Sequence, residues 1–394
     1  MSFLPLRTFF AWALLVFLLL AAAAPASAQA DDWKGCRRCD HRGVEDCSAH
    51  SPELLALEAG VLGCSTAARC PECGGALLVD CEKCEGGPES ALIETRKAAA
   101  AAFLAEEDPI EAFLGRELLR IGLSRFALLA DVAELGEGRK KTVDGHLWLH
   151  RLAADLDLTD RDVLAHYGAT EKDYRAPMRL WFWDRLEDHA AVMTQFLFST
   201  KAGDFKMLGR DPIFSVWVHD QAFGGDAAGL HALGVHNAAH MLLSNLFLER
   251  WIGDIDGGWF DAGAGHWYET ARLGRTRYYC QDEAAYAMNY ENGYWQAAVR
   301  RELGRHEARV LPSLVRLQTG AMKELEHAFA WSFYDWLVAE RPQALAGLLR
   351  GLKRKQPARE LFPAALEIDL FAAEDAWRAW VVETYPAKEP KRKR

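Results

Sequence analysis

The spacing of apolar and polar positions predicts an α+β body. Short apolar runs rich in aromatic and β-branched residues predict buried strands, whereas apolar positions three and four residues apart predict helices. The predicted strands cover residues 124–132, 178–183 and 213–219, with a brief strand near 276–280, and the predicted helices cover 142–165, 185–198, the stretch from 229 onward, and 283–383. Because strands come first and helices follow, we expect a small mixed sheet with helices and a helical C-terminal lobe.

The first 30 residues carry a pattern typical of a bacterial-type export signal. Arg7 precedes an apolar run that Pro25 ends, and Ala26-Ser27-Ala28 fits the small-x-small cleavage pattern. The alternative is an uncleaved membrane anchor, but the run is short for a span of about 20 residues. We therefore expect a cleaved signal over 1–30, an exported (periplasmic or secreted) protein, and no transmembrane domain after cleavage.

Charge narrows the range of partners. The 394-residue chain has a formal net charge of -10, and its basic run is confined to Lys391–Arg394 within a tail over 386–394. This balance argues against nucleic acid as a partner. We interpret the tail as a solvated terminus, with weak attraction to an anionic surface as the alternative.

Residues 31–90 form a predicted cysteine-rich module that holds eight of the nine cysteines. Two similar halves each contain a pair of C-x-x-C-type turns seven residues apart, with a histidine replacing the last cysteine of the first half. The eight predicted zinc ligands are Cys36, Cys39, Cys47, His50, Cys70, Cys73, Cys81 and Cys84. Two such turns make one tetrahedral zinc site, so these ligands fill two structural sites. A disulfide framework is the alternative, and the sequence does not tell which turns pair.

Cys64 is the one cysteine of this module outside the turns. Cys280 of the body is predicted to be free or to pair with Cys64. The glycine-flanked turns CPECGG and CEKCEGG resemble the repeats of DnaJ-type chaperone zinc domains, which implies a zinc-ribbon-like module with a structural or protein-binding role. A helical linker is predicted over 91–120, because this stretch is rich in Ala, Glu, Leu, Lys and Arg. The body then covers 121–385.

The candidate chemistry of the body lies at His236-Asn237-Ala238-Ala239-His240. Residues four apart share one face of a helix, so both imidazoles can reach one ion. In the H-E-x-x-H pattern, the glutamate after the first histidine is the general base acting on zinc-bound water. Asn237 occupies that position here, and an amide does not accept the proton of water near neutral pH. By itself this spacing is a weak signal.

A second segment, residues 259–269 (WFDAGAGHWYE), follows about twenty residues later. Together the two segments resemble the gluzincins, the peptidase MA-like proteins related to thermolysin, over residues 121–383. The resemblance implies a zincin-like fold with a third zinc ligand at the position of Ala262, whose methyl group cannot bind metal. His266 or Asp261 is predicted as a substitute ligand beside His236 and His240, with Glu269 one turn beyond His266.

The differences from the gluzincin pattern at Asn237 and Ala262 lead to three functional hypotheses. The first is an exported, catalytically inactive peptidase-like protein that binds peptides or proteins and holds two structural zinc ions. The second is a divergent active zinc metallopeptidase, in which a third zinc ion binds at His236 and His240 with a substitute ligand. The third is a secreted structural or chaperone-like factor in which the cysteine-rich module carries the function.

Overall fold

A computed structural model describes residues 34–58, 60–138, 140–175, 177–200, 203–220, 226–281, 284–287, 290–305 and 307–388, with backbone only for 280–281 and 284–287. The predicted signal over 1–30 and most of the basic tail lie outside these residues. Within the described ranges, every helix is too short or too polar to cross a lipid bilayer.

The cysteine-rich module is confirmed as a small N-terminal unit, which we call the head and define as residues 36–84. Its secondary structure consists of β1 (Val44–Asp46), α1 (Pro52–Glu58), β2 (Gly63–Cys64), α2 (Ser65–Ala68) and β3 (Leu78–Asp80). Strands β1 and β3 pair in antiparallel fashion, with Glu45 opposite Val79. The apolar cluster around them is small and includes Val44, Ala76, Leu78 and Ile93.

Two helices follow the head, α3 (Ser90–Ala105) and α4 (Pro109–Leu114). The α3 helix packs directly on the head: a Cβ at Gly75 would lie 2.4 Å from the Cβ of Ala100, and Gly75 also has a positive φ of +84°. The α4 helix starts at Asp108, whose carboxylate accepts from the N–H groups of Ile110 and Glu111. It ends at the left-handed residue Gly115, five residues short of the predicted linker end.

The body is built on a mixed sheet, as predicted, and this sheet has six strands. Its strands are β2 from the head, β4 (Leu119–Gly122), β5 (Phe126–Asp131), β8 (Met178–Trp183), β9 (Asp204–Met207) and β10 (Ile213–Trp217), in the order β2-β4-β5-β8-β10-β9. The three central strands β5, β8 and β10 are parallel, and the flanking strands are antiparallel. The near-continuous apolar sequence of β8 fits its central place, where both faces are covered.

Helices cover the sheet and continue into the C-terminal lobe. A hairpin of β6 (Glu134–Glu137) and β7 (Lys141–Asp144) leads into α5 (Gly145–Tyr167), and α6 (Leu186–Leu197) follows β8. The remaining helices are α7 (Ala227–Asn245), α8 (Gly258–Leu273), α9 (Gln296–Arg305), α10 (Leu311–Leu314), α11 (Glu324–Glu340), α12 (Leu345–Lys353), α13 (Ala358–Leu366) and α14 (Leu370–Thr384).

One predicted helical stretch is wrong. Residues 284–287 were expected to be helical, yet β12 (Ala284–Ala287) pairs with β11 (Tyr278–Gln281) as an antiparallel hairpin. Four residues are too few for a helical period to show, so the sequence pattern did not separate this hairpin from the helices that follow it.

The α7 helix, which carries His236 and His240, is fixed at its C-terminal end by a buried lysine from α12. Lys353 Nζ donates to the carbonyl oxygens of Ser244, Leu246 and Leu248 at 2.5–2.9 Å. Carbonyls at the end of a helix have no partner within it, and they attract a cation. The α8 helix packs very closely on α7, because a Cβ at Gly265 would lie 2.6 Å from His240 Nε2.

Candidate metal centres

The antiparallel pairing of β1 and β3 decides which turns of the head meet. Cys36 and Cys39 precede β1, and Cys81 and Cys84 follow β3, so an antiparallel pair brings these two turns to the same end. At the opposite end, the turn after β1 meets the turn before β3. The arrangement is therefore nested, with the first turn beside the fourth and the second beside the third.

The outer group consists of Cys36, Cys39, Cys81 and Cys84, whose sulfur atoms all lie within 4.8 Å of one another. Sγ of Cys36 is 3.8 Å from Sγ of Cys81, and Sγ of Cys39 is 3.7 Å from Sγ of Cys84. Four sulfurs at about 2.3 Å from a tetrahedral ion are about 3.8 Å apart. A disulfide bond would require about 2.05 Å, so these spacings fit a metal-binding set of free thiols.

The inner group consists of Cys47, His50, Cys70 and Cys73. His50 Nε2 lies 3.5 Å from Cys73 Sγ, close to the separation of about 3.5 Å expected for a nitrogen and a sulfur on one tetrahedral ion. The other ring nitrogen, Nδ1, lies 3.1 Å from Oε2 of the buried Glu58. A carboxylate behind a histidine is the usual support of a metal ligand, because it fixes the ring and its tautomer.

In the body, α7 and α8 place a histidine pair and two carboxylates at the centre of the core. His236 Nε2 and His240 Nε2 face each other at 3.2 Å. Behind them, His236 Nδ1 lies 3.0 Å from Glu269 Oε2, and His240 Nδ1 lies 3.0 Å from Asp261 Oδ2. All four side chains are fully buried. Asp261, predicted as a ligand, thus lies behind His240 rather than beside the two facing nitrogens.

The protonation of this pair follows from its partners. Burial and the neighbouring imidazoles hold the pKa of His236 well below its usual value, so the ring is neutral. A carboxylate only accepts, so Nδ1 of His236 carries the proton and Nε2 presents a lone pair. His240 and a hydrogen bond from the Trp251 indole offset the effect of burial on Asp261 and lower its pKa. Two facing Nε2 atoms need a cation between them, either a shared proton or a metal ion.

The side chains of His266 and Glu269, both in α8, lie near His236. One ligand atom of each of His236, His266 and Glu269 lies within 4.8 Å of the others, so a second position for an ion exists in the same cluster. His266 Nε2 is 3.0 Å from Nδ1 of His327, a buried histidine of α11 that the sequence analysis did not single out. Burial lowers the pKa of His327 to about 3, which keeps this ring neutral as well.

Asn237 and Ala262 are both buried among these groups. The amide nitrogen of Asn237 donates to the carbonyl oxygen of Leu233 in its own helix at 2.9 Å. Its side chain is therefore engaged one turn back along α7. The alanine has no ligand atom to offer.

A further group was not predicted. Cys64 lies beside Glu58 of α1 and beside His146 and His150 of α5, and their ligand atoms fall within 4.8 Å of one another. The signal was present in the sequence, because His146 and His150 have the same four-residue spacing as His236 and His240 within a predicted helix. Cys64 is free and buried, so the predicted alternative of a bond to Cys280 is not formed.

The chain was compared with protein-family models and with curated proteins, and neither comparison found a match.

Proposed function

We propose that this chain is an exported zinc protein with the body of a gluzincin-type peptidase that has lost hydrolysis and binds peptide or protein segments. In this proposal, the two turn pairs of the head hold structural zinc ions. A third ion sits between the facing Nε2 atoms of His236 and His240, as the gluzincin resemblance of the two segments implies. Zinc is the expected metal because sets of thiolates and imidazoles in tetrahedral spacing favour it.

The observation that supports the loss of hydrolysis is the position of the carboxylates of Glu269 and Asp261 behind the two imidazoles. Glu269 accepts from Nδ1 of His236, and Asp261 Oδ2 lies 3.0 Å from Nδ1 of His240, so each carboxylate lies behind an imidazole of the pair. A general base must reach the proton of a metal-bound water, and Asn237 at the expected position is turned toward Leu233. The imidazoles are also fully buried, which supports a structural role for any ion they hold.

Peptide or protein binding is supported by a groove where the head meets the body. The groove has a volume of about 490 Å³ and is lined in part by Leu54, Thr66, Arg69, Pro71, Glu117 and Leu119. Such a volume falls in the range of pockets that hold ligands, and a mixture of apolar and charged walls suits a polypeptide segment.

Hydrolysis is tested with the zinc-loaded protein and a fluorogenic peptide library. We expect cleavage no faster than that of the double variant His236→Ala/His240→Ala. Should that variant fail to fold, the wild-type protein treated with 1,10-phenanthroline supplies the comparison. Turnover by the wild type that disappears in both controls would support the divergent metallopeptidase instead, with His266 or Glu269 completing the metal site.

Binding is tested by fluorescence anisotropy with a permanently unfolded probe, reduced and carboxymethylated lactalbumin. Leu54→Asp places a charge in the groove and is expected to weaken binding at least about tenfold, since it removes apolar contact. Leu158→Asp is the matched control, because Leu158 is an exposed leucine on α5 outside the groove lining. Equal affinities of the two variants, or no saturable signal from the wild type, would contradict the proposed ligand class.

A further inference from the structure

The unpredicted group of Glu58, Cys64, His146 and His150 joins the head to the body. Glu58 ends α1, Cys64 lies in β2, and the two histidines lie in the first two turns of α5. His146 Nε2 is 3.3 Å from Cys64 Sγ, 3.0 Å from His150 Nε2 and 3.1 Å from Glu58 Oε1, and His150 Nε2 is 3.5 Å from the same oxygen. Four donor atoms thus surround one point.

These separations are close to the edges of a metal tetrahedron: those of 3.3 and 3.5 Å fall within the expected range, and those of 3.0 and 3.1 Å are slightly shorter. Ligands at about 2.0–2.1 Å for nitrogen and oxygen and about 2.3 Å for sulfur stand about 3.3–3.6 Å apart. The contacts of Glu58 are close but poorly directed, since neither of its oxygens has a hydrogen bond among the described residues. The position of Glu58 Oε1 near two imidazole nitrogens without a directed hydrogen bond fits a ligand of a shared ion.

Burial makes this arrangement expensive without a compensating positive charge, which a metal ion or protonated imidazoles can supply. Glu58, Cys64 and His150 are all at least nine-tenths buried, at 3%, 5% and 1% exposure. A buried carboxylate without hydrogen bonds costs several kcal/mol unless a charge compensates it. His146 is the most accessible member, with 15% of its side chain exposed, and it lines the groove between head and body. An ion can therefore enter from that groove.

We propose that Glu58, Cys64, His146 and His150 form a further zinc site, separate from the two turn pairs of the head and from the histidine cluster of the body. A closed set of four protein ligands indicates a structural ion. The site would tie two head residues to the first helix of the body. It does not depend on the function proposed above.

Glu58 also connects this site to the inner turn pair. One of its oxygens lies at the proposed ion position, and the other lies 3.1 Å from His50 Nδ1. In this proposal the carboxylate is a ligand for one ion and lies directly behind a ligand of the next. Loss of Glu58 is expected to remove the first ion and to loosen the second, whereas loss of Cys64 is expected to affect the first ion alone.

The test uses the full exported chain, purified under reducing conditions with zinc. Zinc per chain, measured by mass spectrometry of the metal, should fall by one in Cys64→Ser and in His150→Ala relative to the wild type. His41→Ala, at an exposed head histidine, should hold as much zinc as the wild type. Equal zinc in the wild type, Cys64→Ser and His150→Ala would overturn the site and leave a metal-free cluster of thiol, imidazoles and carboxylate.

A second measurement covers variants that do not fold. Cadmium-113 substituted into the wild type gives one resonance per bound ion, and its shift reports the number of thiolate ligands. We expect a resonance typical of one thiolate, distinct from those of the four-thiolate and three-thiolate sites of the head and from a site without thiolates in the body. Absence of a one-thiolate resonance at full cadmium loading would contradict the proposal.

Discussion

The head and the histidine cluster of the body use similar ligand types in opposite settings. In the head, the ligands stand on short turns beside strands of three residues, and the apolar cluster around them is small. In the body, the ligands project from α7 and α8 into an extensive apolar core that contains buried tryptophan and phenylalanine side chains. We infer that the head requires its ions to fold, whereas the body folds around its cluster with or without one.

Metal removal gives the largest expected effect. Structural zinc contributes about 10 kcal/mol or more to small zinc modules, which exceeds what the small core of the head can supply. A strong chelator should therefore abolish the protection of backbone amides over 36–84 in hydrogen–deuterium exchange. The near-ultraviolet circular dichroism should persist, because it reports on the body: residues 36–84 contain no tryptophan, and twelve of the 14 tryptophans lie from Trp148 to Trp380.

Trp33→Phe is a suitable background for this experiment, because it removes the tryptophan next to the head. Zinc added back should restore amide protection to 36–84. Cooperative loss of the tryptophan signal together with that protection would contradict the comparison, since the body would then depend on metal as the head does.

A smaller effect is expected from a single methyl group in the body. Gly265→Ala would place a Cβ 2.6 Å from His240 Nε2, inside a packed core where neither helix can withdraw freely. We expect a loss of about 3 kcal/mol in the free energy of unfolding, measured by denaturant titration followed by tryptophan fluorescence. Amide protection over 36–84 should persist at low denaturant.

Gly347→Ala is the matched control for this substitution. Gly347 is exposed within α12, and its added Cβ would meet Ala365 Cβ at an ordinary 3.5 Å. Alanine favours a helix over glycine, so this variant should be more stable by up to about 1 kcal/mol. Equal effects of the two substitutions would show that the close approach of α8 to His240 is unimportant for stability.

Local patterns in the sequence predicted the central elements well. The apolar run at Met178–Trp183 was predicted with its observed bounds, and α5 and α6 were each predicted within three residues. These elements are long or fully buried, so their periodicity is strong. The strands β4, β6, β7 and β9 were missed, because four-residue strands near the sheet edge or in a hairpin carry little periodic signal.

The candidate sites show the same contrast between what local sequence patterns predict and what depends on the fold. The eight candidate ligands of the head follow from local spacing, but their nested grouping depends on the antiparallel contact of β1 and β3, which is not local. For the same reason the sequence analysis left Cys64 unassigned: His146 lies 82 residues away and reaches it only through the fold. The proposal of His266 beside His236 and His240 relied on the gluzincin resemblance and on helical spacing, and the structure brings His266 near His236.

The smallest expected effect concerns a buried carboxylate of the body that lies outside the histidine cluster. Asp160 of α5 is 5% exposed, and burial raises its pKa to about 6 despite the nearby charge of Arg125. Below about pH 4 the carboxyl is protonated in both the folded and unfolded states. As the pH rises from about 4 to 6, the carboxyl ionises freely only in the unfolded state, so the free energy of unfolding falls. A pKa difference of about two units between the folded and unfolded states corresponds to about 2 kcal/mol after allowance for partial screening.

Asp160→Asn keeps the shape of the side chain without the charge. Its advantage in unfolding free energy over the wild type should therefore grow from near zero at about pH 4 to about 2 kcal/mol above pH 6, followed by tryptophan fluorescence. Asp375→Asn is the control, because Asp375 lies in an exposed ion pair with Arg309 and should change stability by less than about 1 kcal/mol. An advantage of Asp160→Asn that is constant across this range would mean that Asp160 titrates normally despite its burial, and would contradict the raised pKa.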